Sequence, residues 1–142
     1  MRILAVDPGS KRIGLAISDP TGTIANPLKV LEHVSRPVDA AGVAEAAAYE
    51  GVGLIVVGQS FDEEGNPSLE GRRAARFAEA LKAQTALPVV LWDESLTTQD
   101  ARSARLHMGA SRKDRSGHLD ALAATVLLQS YLDAHSVDPT KK

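Results

Sequence analysis

Three places in this 142-residue chain carry carboxylates that could work together. Asp7 closes the apolar run Ile3-Leu-Ala-Val and is followed by the turn Pro8-Gly9-Ser10. Asp93 and Glu94 close a second run, Pro88-Val-Val-Leu-Trp92. Asp120 interrupts the otherwise apolar start of a helix, Gly117-His-Leu-Asp-Ala-Leu-Ala-Ala124. Carboxylates brought together repel, and none ionises comfortably without a cation nearby. The chain has no Cys, so the site would be all-oxygen and would suit a hard ion, Mg²⁺ or Mn²⁺. Two such ions about 4 Å apart can generate a hydroxide and stabilise the leaving oxygen of a phosphodiester. The expected chemistry is metal-assisted phosphodiester hydrolysis. The plainer alternative is that Asp7 and Asp120 cap turns or helices and Glu94 is solvated. Neighbouring strand residues face opposite sides, so Asp93 and Glu94 should not both enter one site. Asp114 and His118, near the final helix, read as solvated or loop-stabilising groups in preference to ligands.

The elements that would position these acids follow from periodicity. Residues 2–7, 12–18 and 23–32 read as three strands separated by Pro/Gly turns, an antiparallel meander. Pro27 suits an edge position because it cannot donate to a ladder. A helix is expected from about Ser35 to Glu50, ending at Gly51. Strands follow at 54–58 and 88–94, with a polar loop from Gln59 to Pro67 between them and a helix capped by Ser68. Thr97-x-x-Asp100 resembles a capping box and opens a third helix to Gly109. Residues 110–117 read as a basic loop. Residues 118–133 read as a final helix with Asp120 in its first turn. The order β-β-β-α-β-α-β-α-α predicts a mixed sheet with helices on both faces, as one domain over 1–135 and a flexible tail over 136–142. In such sheets, sites lie outside the carboxyl ends of the parallel strands, where Asp7 and the 93–94 pair end.

Composition narrows the class. With 44% hydrophobic and 24% charged residues, the chain has the balance of a soluble globular protein. No apolar run approaches the roughly 20 residues needed to cross a bilayer, and the N-terminus has no signal-peptide pattern. A cytoplasmic protein without a membrane partner is expected. The net charge of −2 by itself argues against a nucleic-acid partner. That total hides an asymmetry. Residues 1–70 hold 5 basic and 10 acidic side chains, whereas residues 71–142 hold 11 basic and 8 acidic. Arg72, Arg73 and Arg76 lie early in the second helix. Arg102, Arg105, Arg112, Lys113 and Arg115 span the third helix and the following loop. These groups flank the candidate site in sequence, as phosphate contacts would; the alternative is a solvated charged face. Lys11 and Arg12, just after the first turn, carry the same two readings. Thr97 and Thr98 cap a helix and could hold a phosphate at its N-terminus. Aromatic residues are 4%, so base stacking should add little. Trp92 reads as core. Gly9 and Gly14 either allow close backbone approach beside Asp7 or make a tight hairpin.

Four ordered blocks point to a family. Ile3-Leu-Ala-Val-Asp7-Pro-Gly9-Ser10-Lys11-Arg12-Ile13-Gly14, Ile55-Val-Val-Gly58, Asp93-Glu94-Ser95-Leu96-Thr97-Thr98, and Asp120-Ala-Leu-Ala-Ala124 with Leu127-Leu-Gln-Ser-Tyr-Leu132 together resemble the YqgF/RuvX family of bacterial ribonuclease H-like nucleases. The resemblance covers essentially the whole chain. It implies a ribonuclease H-like α/β fold with a five-stranded mixed sheet, and it selects Glu94 over Asp93, giving Asp7, Glu94 and Asp120 as metal-binding acids. It also implies a nuclease that matures the 5′ end of 16S ribosomal RNA, with ribosomal precursor particles as partners, or one that resolves Holliday junctions. Two departures stand out: Ser95 replaces a frequent Arg, and Gln59-Ser-Phe-Asp-Glu-Glu replaces the usual Leu-Pro loop. The opening block also resembles the RuvC resolvases. Those use a fourth acid, with two of the four one turn apart in the final helix; here that position is Gly117, and Gln59 follows the fourth strand.

Two other function classes remain in play. An actin-like ATP-binding module opens with a similar Asp-x-Gly turn, but it needs two lobes and 142 residues supply one. A catalytically inert nucleic-acid-binding domain is disfavoured by the three acids. A two-fold-symmetric junction would favour a homodimer, while an RNA end would be served by a monomer.

Overall fold

The computed structural model describes residues 1–94 and 115–135, with side chains from 121 onward in the second segment. Eight elements run in the order β1 (Ile3–Pro8), β2 (Arg12–Ser18), β3 (Ala25–Glu32), α1 (Arg36–Glu50), β4 (Leu54–Gln59), α2 (Leu69–Lys82), β5 (Val89–Asp93) and α3 (Arg115–His135). The five strands form one sheet in the order β3-β2-β1-β4-β5. β1 and β2 pair antiparallel, as do β2 and β3, while β4 and β5 run parallel to β1. The expected meander and mixed sheet are therefore present, and Pro27 does lie on the edge strand β3.

Strand alternation divides the core into two layers. Leu4 and Val6 of β1, Ile13, Leu15 and Ile17 of β2, and Ile55 and Val57 of β4 face α1 and α2. The intervening Ile3, Ala5, Ala16 and Val56 face α3 through Ala124, Leu127, Leu128 and Leu132. The α3 side is built from smaller strand residues, which lets that helix lie close to the sheet.

Each helix boundary has a local cause. The Ser35 hydroxyl accepts from the Val38 amide at the start of α1, and Pro37 occupies the first turn, where its missing N–H costs nothing. Gly51 ends α1 in the left-handed region at φ 70°. Ser68 caps α2 by accepting from the Gly71 amide.

Two expectations are corrected. Residues 115–117 belong to α3 and not to a loop, so the helix starts three residues earlier than its apolar stripe suggests. Adding residues to an existing helix is far cheaper than nucleating one, and Gly117 costs only about 1 kcal/mol in a helix interior. Asp120 consequently sits in the second turn, not the first. The helix expected at 97–109, the loop at 110–114 and the tail at 136–142 lie outside the described residues. Among the described residues, no helix is long and apolar enough to cross a membrane.

Candidate active site

The carboxyl edge of the sheet collects the first two acids. Asp7 is the fifth residue of β1 and pairs with Gly14 of β2. By alternation it shares a face with Ile3 and Ala5, the α3 side. Glu94 directly follows β5. Counting on from Val90 and Trp92, which pack on the α3 side, places Glu94 on that side as well and Asp93 on the other. Of the two neighbours, Glu94 is therefore the one on the face that Asp7 shares. The side chains of Asp7 and Glu94 share a hydrogen bond.

Gly58 makes room for this contact. It lies at the end of β4, between β1 and β5, beside Trp92 in the register. A Cβ there would stand 3.1 Å from Glu94 Oε2 and 2.9 Å from Leu127 Cδ2. Any larger residue would press on the acid and on α3 together.

Burial pushes the Glu94 carboxyl above the usual carboxylate range; the charges of Asp93 and Glu70 push it further, and the hydrogen bond from Asp7 partly offsets them. Two carboxyls in contact need a shared proton or a cation. Their all-oxygen character fits a hard divalent ion. Among the described residues no three ligating side chains converge on one point, and the Asp120 side chain is not among them. The helix itself is placed. Leu127 of α3 lies against Gly58, and Gln129 accepts from the Ala25 amide at the opposite end of the sheet. The chain of α3 thus runs away from the carboxyl edge, and residue 120, two turns before Leu127, belongs to its near end.

The flanking residues divide. Gly9 donates its amide to the Arg12 carbonyl at 2.9 Å, and a Cβ at Gly9 would collide with that oxygen. Its role is the tight hairpin. Lys11 is exposed and Arg12 half-buried at the start of β2. Arg72 and Arg76 are exposed on α2. Thr97, Thr98, Arg102, Arg105, Arg112, Lys113 and Asp114 lie outside the described residues, as do the side chains of Arg115 and His118. Trp92 is half-buried against α3, donating to Ser130 Oγ at 3.2 Å and meeting Tyr131 edge-on at 5.3 Å between centroids. Gln59, which stands at the end of β4 in place of an acid, is buried and donates to the Gly71 carbonyl at 3.1 Å. It fastens α2 to β4.

One feature was not legible in sequence. A cavity of about 640 Å³ opens beside the turn at 8–10, on the α1 and α2 side of the sheet. Its walls include His33, Arg36, Glu70 and Arg73. Asp39, 5% exposed, accepts from His33 Nδ1 at 2.5 Å and from the Val34 amide at 2.9 Å. The spacing Glu70, Arg73, Phe77 is the i, i+3, i+7 signature of one helix face, so the placement of Arg73 was available in principle. His33 and Arg36 flank a strand-to-helix corner and gave no such signal.

Comparison with known proteins agrees with this architecture. A family model described as RuvX, Holliday junction resolvase, matches residues 1–134. The chain belongs to this family. A relative from Thermoanaerobacter pseudethanolicus, provisionally named pre-16S rRNA nuclease, is 38% identical over 135 residues, covering 94% of this chain and 97% of its own. One from an Anaeromyxobacter species with the same provisional name is 41% identical, again covering 94% and 97%. Among solved structures, Thermus thermophilus RuvC in complex with a Holliday junction substrate has TM-score 0.60 at 19% identity, covering 96% of this chain and 97% of that one. The fowlpox virus resolvase with Holliday junction DNA has TM-score 0.58 at 14% identity, covering 96% and 100%. At these identities the likeness concerns the fold, and it is the fold expected of a RuvX chain.

Proposed function

We propose that this RuvX-family chain is a metal-dependent endonuclease that hydrolyses phosphodiester bonds in structured nucleic acid, with the 5′ end of precursor 16S ribosomal RNA as its substrate and a ribosomal precursor particle as the setting. The observation that carries this reading is the contact of the Asp7 and Glu94 carboxyls at the carboxyl edge of the sheet. The provisional naming of relatives such as that from T. pseudethanolicus supports the choice of RNA.

In this reading Asp7, Glu94 and Asp120 would hold two Mg²⁺ or Mn²⁺ ions. Bound there, such ions supply an activated water and neutralise charge growing on the phosphoryl oxygens. Asp7 and Glu94, pre-assembled by β1 and β5, supply the negative charge that draws the ions. Without a cation, burial favours the protonated form of the half-buried Glu94. Lys11, Arg12, Arg72, Arg76, Thr97, Thr98, Arg102, Arg105, Arg112, Lys113 and Arg115 contact the phosphate backbone around this centre.

The description of the family as Holliday junction resolvase favours a second reading, cleavage of branched DNA by a homodimer. One assay separates the two. Purified protein with Mn²⁺ is given a precursor rRNA leader and a four-way DNA junction side by side. The first reading expects cleavage of the RNA, loss of cleavage in EDTA, and loss of at least about 100-fold in Asp7→Asn with the fold intact. Wild-type rates in Asp7→Asn, Glu94→Gln and Asp120→Asn alike would sink the site assignment.

A further inference from the structure

The cavity beside the turn at 8–10 has no part in the metal chemistry, yet it begins one residue beyond Asp7. Glu70 links the two places: it lines the cavity, and its charge is felt at Glu94. The cavity has the size of a small-ligand site, which typically runs from about 300 to 1,000 Å³. Its floor is apolar, from Ile13 and the buried Phe77. Its rim is basic. Arg36 and Arg73 are both exposed and line it, and among the described residues neither is paired with a carboxylate. Asp39 lies behind His33, hydrogen-bonded to its ring, while Glu70 is exposed beside the two arginines.

The His33 ring is held in place. The buried Asp39 takes its Nδ1, and the Val34 amide fixes the other carboxylate oxygen. Its Nε2 is the ring atom left for a ligand. An apolar floor under a rim of two guanidiniums and an oriented imidazole matches a nucleotide: the flat, weakly polar base and ribose below and the phosphate above.

We propose that this cavity receives one nucleotide of the substrate strand, next to the scissile bond, with its phosphate held by Arg36 and Arg73. The strand would then bend around the turn at 8–10, from the α3 side of the sheet, where the carboxylates lie, to the α1 and α2 side. The proposal rests on the nuclease reading, but its test does not require cleavage.

Binding is measured in EDTA, where no turnover occurs, using a fluorescent precursor rRNA leader over a range of salt concentrations. The proteins are wild type, the double variant Arg36→Gln/Arg73→Gln, and Arg73→Lys; thermal unfolding checks the fold of each. The double variant should bind about tenfold more weakly or worse, and its plot of log affinity against log salt should flatten by about one unit per arginine removed. Arg73→Lys should recover part of the affinity, because the charge is kept while the paired donors are lost. Unchanged affinity and slope in a folded double variant would overturn the cavity assignment; if wild type still cleaved RNA with Mn²⁺, the nuclease reading would survive. Failure of wild type to bind nucleic acid would overturn both. A parallel titration with adenosine 5′-monophosphate separates the sources of phosphate. Binding as tight as that of the RNA would make the cavity a free-nucleotide site and overturn its assignment to the strand.

Discussion

In the proposed function, Glu94 is where the competing demands of folding and metal binding meet. Burial and the charges of Asp93 and Glu70 raise its carboxyl, against the opposing hydrogen bond from Asp7. A carboxyl raised on folding favours the native state at pH values below its unfolded pKa, and that advantage is lost as pH rises through the folded value. In EDTA near pH 7, Glu94→Gln should therefore unfold a few degrees higher than wild type, with the gap closing as the pH falls toward 4. A divalent cation should stabilise wild type and leave Glu94→Gln little changed. Calorimetry with and without Mn²⁺ reads both effects. Asp19 works in the opposite sense. Its carboxylate accepts from the Ile24 and Thr23 amides at 2.8 Å each and from the Thr21 hydroxyl, which holds it far below the usual carboxylate range. Its contribution is full above an unfolded pKa of about 3.9 and declines as the pH falls below that. Asp19→Asn should be less stable than wild type at pH 7, by an amount that shrinks through the acid range in urea unfolding series. No stripe or motif marked Asp19 beyond its place in a turn. Only the folded loop brings these donors, with the Thr21 amide as a fourth, round it.

Among the elements, β4 and α3 decide whether the acids can meet. β4 lies between β1 and β5, and its last two residues have opposite duties. Gly58 stays small beneath Glu94 and Leu127, and Gln59 turns to the other face to hold Gly71. Gly58→Ala should cost about 1–3 kcal/mol through overpacking and should reduce cleavage more than it reduces RNA affinity, because the displaced groups are Leu127 and the Glu94 carboxylate. Chemical denaturation and kinetics at saturating RNA test the two parts. The block Ile55-Val-Val-Gly58 was visible in sequence as part of the resemblance. The need for glycine was not, since it comes from a helix some seventy residues away. Strand alternation, by contrast, was legible, and it alone places Asp93 and Glu94 on opposite faces. α3 starts before its apolar stripe, because such a stripe reports where a helix is packed, not where its hydrogen bonds begin.

For the whole molecule, the net charge of −2 says less than its distribution. The excess of acid lies in residues 1–70, and the excess of base follows residue 70. Phosphate contacts dominate nonspecific affinity and release counterions. RNA binding in EDTA should accordingly weaken by an order of magnitude or more between about 50 and 200 mM salt, as measured by fluorescence anisotropy. A salt-independent affinity would mean that the basic residues of the second half are a solvated surface. The cavity belongs to this scale too, because it draws on the β1–β2 turn, the corner before α1 and the face of α2. The sequence by itself determined the order of the described elements and placed the ends of β1, β4 and β5 to within a residue, with acids at two of them, because periodicity and turn chemistry are local properties. The tertiary structure alone decided that Asp7 and Glu94 share a hydrogen bond over Gly58, and that His33, Arg36 and Arg73 surround one cavity. Those groups are distant in sequence, and only the sheet order β3-β2-β1-β4-β5, with helices on both faces, brings them within reach.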